Sequence, residues 1–265
     1  MNTKSRIASI LNTKSLDSST THTPAFDLSN LILPTDLDFP LPTNLRLGHL
    51  AEKVVSNSIT SSSNYNILFE NVQVIEDTKT IGEIDFIIED ITREQVIHME
   101  LAYKFYLYDP TISSQLIYNW IGPNRNDSLV QKLDKLKNKQ FPLLHHPGVE
   151  SILRPLQIEN ISQALCLLVS LFIPYNYKGS FGANFENGIK GYYLNYETFK
   201  SIHEPEKNYY IPAKWEWGME PSSNENWITL GGLEKHFEQY IQEQKALLCW
   251  QRFKGHFSSF FIVGW

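Results

Sequence analysis

The chain has 265 residues, of which 42% are hydrophobic, 20% charged and 13% aromatic, and it carries a formal net charge of −6. That composition excludes wholesale disorder, collagen-like repeats and coiled-coil fibres, and the length suits one large domain with a real core. The acidic balance argues against an all-over basic nucleic-acid binder while leaving local patches open. The only two cysteines, Cys166 and Cys249, form no CxxC pair or Cys/His cluster, which excludes a thiolate zinc site and reads as buried reduced thiols. No apolar core of a signal peptide follows Met1–Arg6. The longest apolar run, Ala164 to Ile173, is half of what a membrane-spanning helix needs. A soluble, cytoplasmic protein is expected.

In chain order, Ile7, Ile10 and Leu11 predict a short amphipathic helix, followed by a Ser/Thr/Pro-rich run to Pro42 that wraps against a core. Leu47, Leu50, Val54 and Ser58 set a helical stripe over residues 46–59. Three strands follow over 66–74, 80–89 and 95–107, separated by breaks short enough for hairpins. Cap-like residues from Asn124 to Asp127 open a helix over roughly 127–141. A helix over 158–163 then leads into Ala164 to Pro174, which reads as a fully buried strand completing an α/β crossover. Residues 175–230 are aromatic-rich and irregular, and a last helix over 232–248 precedes a terminal strand over 258–263.

The second and third strands carry acids among apolar residues, and buried carboxylates are costly unless paired or metal-bound. Period-two geometry puts Asp85 on one face of its strand. It places His98, Glu100, Ala102 and Lys104 together on one face of the next. If the two faces agree, Asp85 and Glu100 meet with Lys104 close by. Two such carboxylates are oxygen ligands suited to Mg²⁺ or Mn²⁺, and a cation held there favours phosphodiester hydrolysis. No nucleophile elbow or Ser/His arrangement for acyl transfer is visible. The plainer alternative is a Glu100–Lys104 salt bridge on an exposed sheet face, worth little energetically.

Gly48 and Glu52 on the first long helix, Gly82-Glu83-Ile84-Asp85 on a strand, and Glu100 followed by Lys104 together resemble the core of the PD-(D/E)XK nuclease superfamily. The likeness is to its Holliday-junction-resolvase-like branch. More narrowly, Gly82 to Phe86, His98 to Leu107 and Trp120-Ile121-Gly122-Pro123-Asn124 resemble the bacterial domain-of-unknown-function family 1853. The resemblance implies an α/β fold with a restriction-endonuclease-like core: helix, three-stranded antiparallel meander, helix, strand. That core would span 46–175, between an N-terminal extension at 1–45 and a C-terminal aromatic-rich α+β elaboration at 176–265. It also implies that Asp85, Glu100 and the Leu101 carbonyl hold Mg²⁺ or Mn²⁺, that Lys104 assists catalysis, and that Glu52 is an auxiliary acid. One departure stands out. The superfamily lysine sits two residues after the glutamate, where this chain has Ala102; Lys104 lies about 7 Å further along the same face.

The lysine-rich segment 131–140 follows the site strands, where a nuclease needs phosphate contacts. Lys132, Lys135 and Lys139, with Arg125 at a candidate anion seat, are therefore assigned to nucleic-acid binding, and Gln140 resembles a helix glutamine of some superfamily members. A second basic cluster runs from Arg252 to His256, and tyrosines and tryptophans between 192 and 227 serve either base stacking or packing. The leading expectation is a Mg²⁺-dependent nuclease whose partner is nucleic acid, DNA in the first instance, with no membrane partner and a homodimer left open. The alternative is a non-catalytic nuclease-fold module that binds nucleic acid or protein, the displaced lysine marking lost activity.

Overall fold

The computed structural model describes residues 3–43, 45–243 and 245–265, with the backbone alone for Gln239 and Ile241. Met1 and Asn2, where the leader reading begins, and Gln244, inside the expected last helix, lie outside the described residues. The architecture is a mixed α/β fold. Its nine strands among the described residues are β1 (Tyr65–Glu76), β2 (Lys79–Asp90), β3 (Gln95–Tyr108), β4 (Trp120–Ile121), β5 (Ser162–Pro174), β6 (Ile189–Asn195), β7 (Asn208–Tyr210), β8 (Leu247–Phe253) and β9 (His256–Val263). The chain forms two compact units, Met1–Tyr103 with Val130–Leu168, and Lys104–Leu129 with Val169–Trp265; β3 and β5 run through both.

In the first unit, helix Thr3–Leu11 buries Ile7 and Ile10, and helix Leu47–Ser61 buries Leu50, Ala51, Val54, Val55 and Ile59 along its stripe. β1, β2 and β3 form the antiparallel meander, and β5 is the next strand beyond β3. Both hairpin turns use left-handed residues, Asp77 and Thr78 in one and Glu94 in the other. The N-terminal segment is tied to β5: the Leu16 amide donates to the Leu167 carbonyl and the Phe26 amide to the Leu165 carbonyl, both at 3.0 Å. Val72, Val74, Ile84, Ile87, Leu143, Leu144 and Leu153 form the core under the meander.

The helix expected over 127–141 is three kinds of helix in succession. It begins as α-helix Leu129–Lys135, widens into a π turn over Leu136–Gln140 and tightens into a 3-10 segment over Phe141–His145. The helix expected over 158–163 is absent: only a 3-10 turn, Ile158–Asn160, precedes β5, which already begins at Ser162.

In the second unit, β5, β6 and β9 are parallel neighbours, and β7, β8 and β9 are antiparallel. The region expected to be irregular thus contains β6 and β7. The last helix stops at Gln242, and Leu247 and Leu248, expected in it, begin β8. An apolar run of that length suits a buried strand as well as a helix, so periodicity alone does not separate the two. Leu194, Phe199, Tyr209, Leu233, Phe237, Cys249 and Phe260 make this unit's core. Cys166 and Cys249 are free and buried, and burial pushes both thiols up. No helix among the described residues is long and apolar enough to cross a membrane.

Candidate functional site

The first unit's acidic site is created by the end of a ladder. β2 and β3 pair from Asp90–Gln95 to Phe86–Met99. Toward Lys79, β2 continues on β1 through Gln73–Glu83, Val74–Gly82 and Glu76–Lys79. Asp85 and Glu100 stand one residue beyond the last β2–β3 pair, where the strands part. The Leu101 amide, which would continue the ladder, donates instead to the Asp85 carboxylate, Oδ2, at 2.8 Å.

The helical segment after Lys135 closes the gap from the side. Gly82 leaves room for this packing, because a Cβ there would meet Leu143 Cδ1 at 2.5 Å. The Gln140 amide then spans the parted strands. Its Nε2 donates to the Glu83 carbonyl on β2 at 3.1 Å and to Glu100 Oε2 on β3 at 3.3 Å. On the other carboxylate oxygen, Glu100 Oε1 lies 2.9 Å from His98 Nε2. Glu100 is 1% exposed and His98 0%. The imidazole meets the Phe141 ring edge-on, centroids 5.4 Å apart, and its Nδ1 is buried with no hydrogen-bond partner.

Burial pushes the Asp85 carboxyl up to about 7, and the neighbouring Glu100 charge adds to the shift. The Leu101 amide opposes it, Glu52 raises it further and Lys132 lowers it. The fields of Asp85, Glu100, Glu52 and Lys132 therefore converge. Glu52 itself sits on helix Leu47–Ser61, half-exposed, and its Oε2 lies 2.9 Å from His49 Nδ1. Beside it the Ser56 hydroxyl donates to Glu70 Oε2 at 2.6 Å, and these side chains line a hollow with Phe86.

The other residues singled out in the sequence are placed differently. Lys104 lies in the second unit, where its ammonium donates to Asp127 Oδ2 at 2.8 Å. Asp127 is fixed by a turn in which the Gly122 amide donates to its carbonyl at 2.7 Å. Arg125, in the same turn, pairs with Asp109 at 3.3 Å and lies over the Trp265 ring, 4.4 Å from its centroid. Asn124 Oδ1 accepts from the Ala246 amide, and the Pro123 carbonyl from Trp265 Nε1. This segment thus holds the C-terminal strands of its own unit. Lys135 and Lys139 are exposed, and Lys132 is half-buried. Among the aromatic residues, Tyr209 is fully buried, Trp217 packs on Phe105 and Phe261, and Trp215 is exposed.

Sequence reading pairs Asp85 with Glu100 but gives His98 no more than the standing of a neighbour. The available signal was its position two residues before Glu100 on the same strand face. Among the described residues, no group of three or more His, Cys, Asp or Glu side chains is arranged to hold a metal ion. A cation here would rest on the two carboxylates with backbone carbonyl and water oxygens completing its shell, a hard donor set that suits Mg²⁺ or Mn²⁺. Comparison with curated proteins and with solved structures finds no match. The family model described as domain of unknown function (DUF1853) matches residues 3–258, and the chain belongs to that family.

Proposed function

We propose that this chain is a Mg²⁺- or Mn²⁺-dependent phosphodiesterase acting on nucleic acid, with DNA as the first substrate to test. The observation that carries the reading is the placement of two carboxylates, partly buried Asp85 and fully buried Glu100, at the point where β2 and β3 part. An acidic pair with little hydrogen bonding at Asp85 is stabilised by a cation, and a divalent ion supplies water activation and charge neutralisation at a phosphodiester. Asp85 and Glu100 would hold it, with the Leu101 carbonyl as a further oxygen. Leu101 also orients Asp85 through its amide. Lys132 brings positive charge toward Asp85, and exposed Lys135 and Lys139 extend that charge along one helical segment toward solvent. Glu52 remains an auxiliary acid at longer range. In a chain of net charge −6, phosphate binding of this kind is local, so affinity falls only shallowly with salt.

The test is cleavage of duplex, single-stranded and branched DNA, and of RNA, by the full chain with Mg²⁺ or Mn²⁺. D85N and E100Q are expected to lower turnover on the order of 100-fold or more, as loss of a metal-holding group does. Metal-dependent cleavage unchanged in both variants overturns the assignment. One observation favours a second reading, a nuclease-fold module that binds without cutting: Lys104 is paired with Asp127, and Ala102 occupies the position of the superfamily lysine. That reading gains if the chain binds DNA, D85N binds equally well, and neither cleaves with either metal.

A further inference from the structure

We propose that His98 is the positioning residue of the acidic pair: its Nε2–H, with the Gln140 amide, fixes the Glu100 carboxylate in the orientation from which it faces Asp85. The inference rests on the metal-centred reading above and names the residue that prepares one of its ligands.

The geometry decides what His98 does. Residues two apart on a strand stand side by side on one face, so the imidazole of His98 lies along β3 from Glu100 and not across the gap. Glu100 is held at both ends of its carboxylate, by His98 on Oε1 at 2.9 Å and by Gln140 on Oε2 at 3.3 Å. Each carboxylate oxygen accepts two hydrogen bonds or one bond and a cation, so this double hold still leaves acceptor capacity on both oxygens.

The hydrogen-bond count fixes the tautomer. His98 Nδ1 is buried without a partner. In the Nδ1–H tautomer the proton would be a buried, unsatisfied donor, and the Nε2 lone pair would face the Glu100 carboxylate. The tautomer with its proton on Nε2 avoids that cost and directs its N–H at Glu100. Phe141, edge-on to the ring at 5.4 Å, packs against the imidazole and restricts its rotation. A residue that merely filled this space would be apolar, because an apolar side chain leaves no orphaned Nδ1. The donor at Nε2 is what the imidazole adds.

The experiment uses the full chain and Mn²⁺ alone as probe, followed by the electron paramagnetic resonance of free Mn²⁺, together with long-range ¹H–¹⁵N spectra of the histidine rings. The wild-type chain should show His98 as the Nε2–H tautomer with a slowly exchanging proton, and E100A should lose that slow exchange. H98L should weaken Mn²⁺ binding about 10- to 100-fold, and H98Q, which keeps an amide donor, should recover it to within about threefold, as expected for a group that orients a metal ligand. An Nδ1–H tautomer in the wild-type chain overturns the proposal, and so does H98L binding Mn²⁺ as tightly as wild type. Should H98L fail to fold, the wild-type ring spectrum and the H98Q titration decide: a tenfold or greater loss in H98Q overturns it. If the wild-type chain binds no Mn²⁺ but shows the Nε2–H tautomer in contact with Glu100, the positioning role stands and the metal-centred function fails.

Discussion

β2 carries two aspartates, Asp90 buried at its C-terminal end and Asp85 partly buried at its middle, and the two are treated in opposite ways. Asp90, 1% exposed, is surrounded by donors: the Thr92 hydroxyl at 2.6 Å, the Thr92 and Arg93 amides at 3.0 and 3.2 Å, and the Tyr65 hydroxyl at 3.2 Å. Burial alone would raise its carboxyl, but those hydrogen bonds outweigh it and hold Asp90 below the ordinary carboxylate range. Asp85 receives one amide and faces a second carboxylate, so burial and like charge together push it up to about 7. The first is a hairpin brace whose charge the fold satisfies. The second is left wanting a cation or a proton.

Substitution gives the largest separation. D90A removes the partner of a buried tyrosine hydroxyl and of two turn amides, and should cost about 3 to 4 kcal/mol in urea unfolding. D85N removes an unsatisfied charge and should leave stability at pH 8 unchanged or higher. Equal damage from both variants would break the contrast.

Acidity separates the two aspartates next. Asp85 has a folded value of about 7 against 3.8 for the free group, so its contribution is fully present below pH 3.8 and is lost as pH rises through 7. From pH 5 to 8 the chain should lose about 2.5 kcal/mol through this group, and D85N should flatten the slope. Asp90 has the opposite sign: lowered on folding from 3.8, its contribution is present above that value and lost as pH falls through the depressed one. D90N should therefore remove part of the acid limb of the same stability–pH profile.

A cation supplies the third distinction. At roughly thirty times its dissociation constant, Mg²⁺ or Mn²⁺ should stabilise the wild-type chain by about 2 kcal/mol, read as a rise in Tm. D85N should show no rise. Lys104 gives the smallest effect, since an ion pair as exposed as that with Asp127 contributes below about 1 kcal/mol. K104A should unfold nearly as wild type does. Whether it cleaves as wild type does decides if the lysine serves the chemistry or only the Gly122–Asp127 turn.

The meander and the acidic pair were legible in the sequence because strand alternation is a strong local signal. Asp85 and Glu100 stand out among Ile84, Phe86, Met99 and Leu101, which are apolar on every side. The parting of the strands was not legible, since it depends on Gly82 admitting Leu143 and on Gln140 reaching two strands from a distant helical segment. His98 read as a neighbour for the same reason: its meaning lies in which nitrogen has a partner. β6 and β8 escaped because Tyr192, Tyr193 and Leu247–Trp250 lack polar alternation. Alternation along β3 assigns Lys104 to the Glu100 face, yet side-chain periodicity says nothing of the acid, Asp127, that its ammonium meets.

The π turn at Leu136–Gln140 carries a consequence of its own. Its closing bond runs from the Phe141 amide to the Leu136 carbonyl, five residues back, so the turn holds one residue more than an α-helical turn would. That surplus sets the angular phase of everything after it. Deleting one residue, Asn138 for instance, would restore an ordinary turn and rotate Gln140 by roughly 100° relative to the preceding helix. The amide would then leave both Glu83 and Glu100 while each strand of the meander kept its own sequence. A length change of one residue is thus an orientation switch for the site, one that no side-chain substitution reproduces.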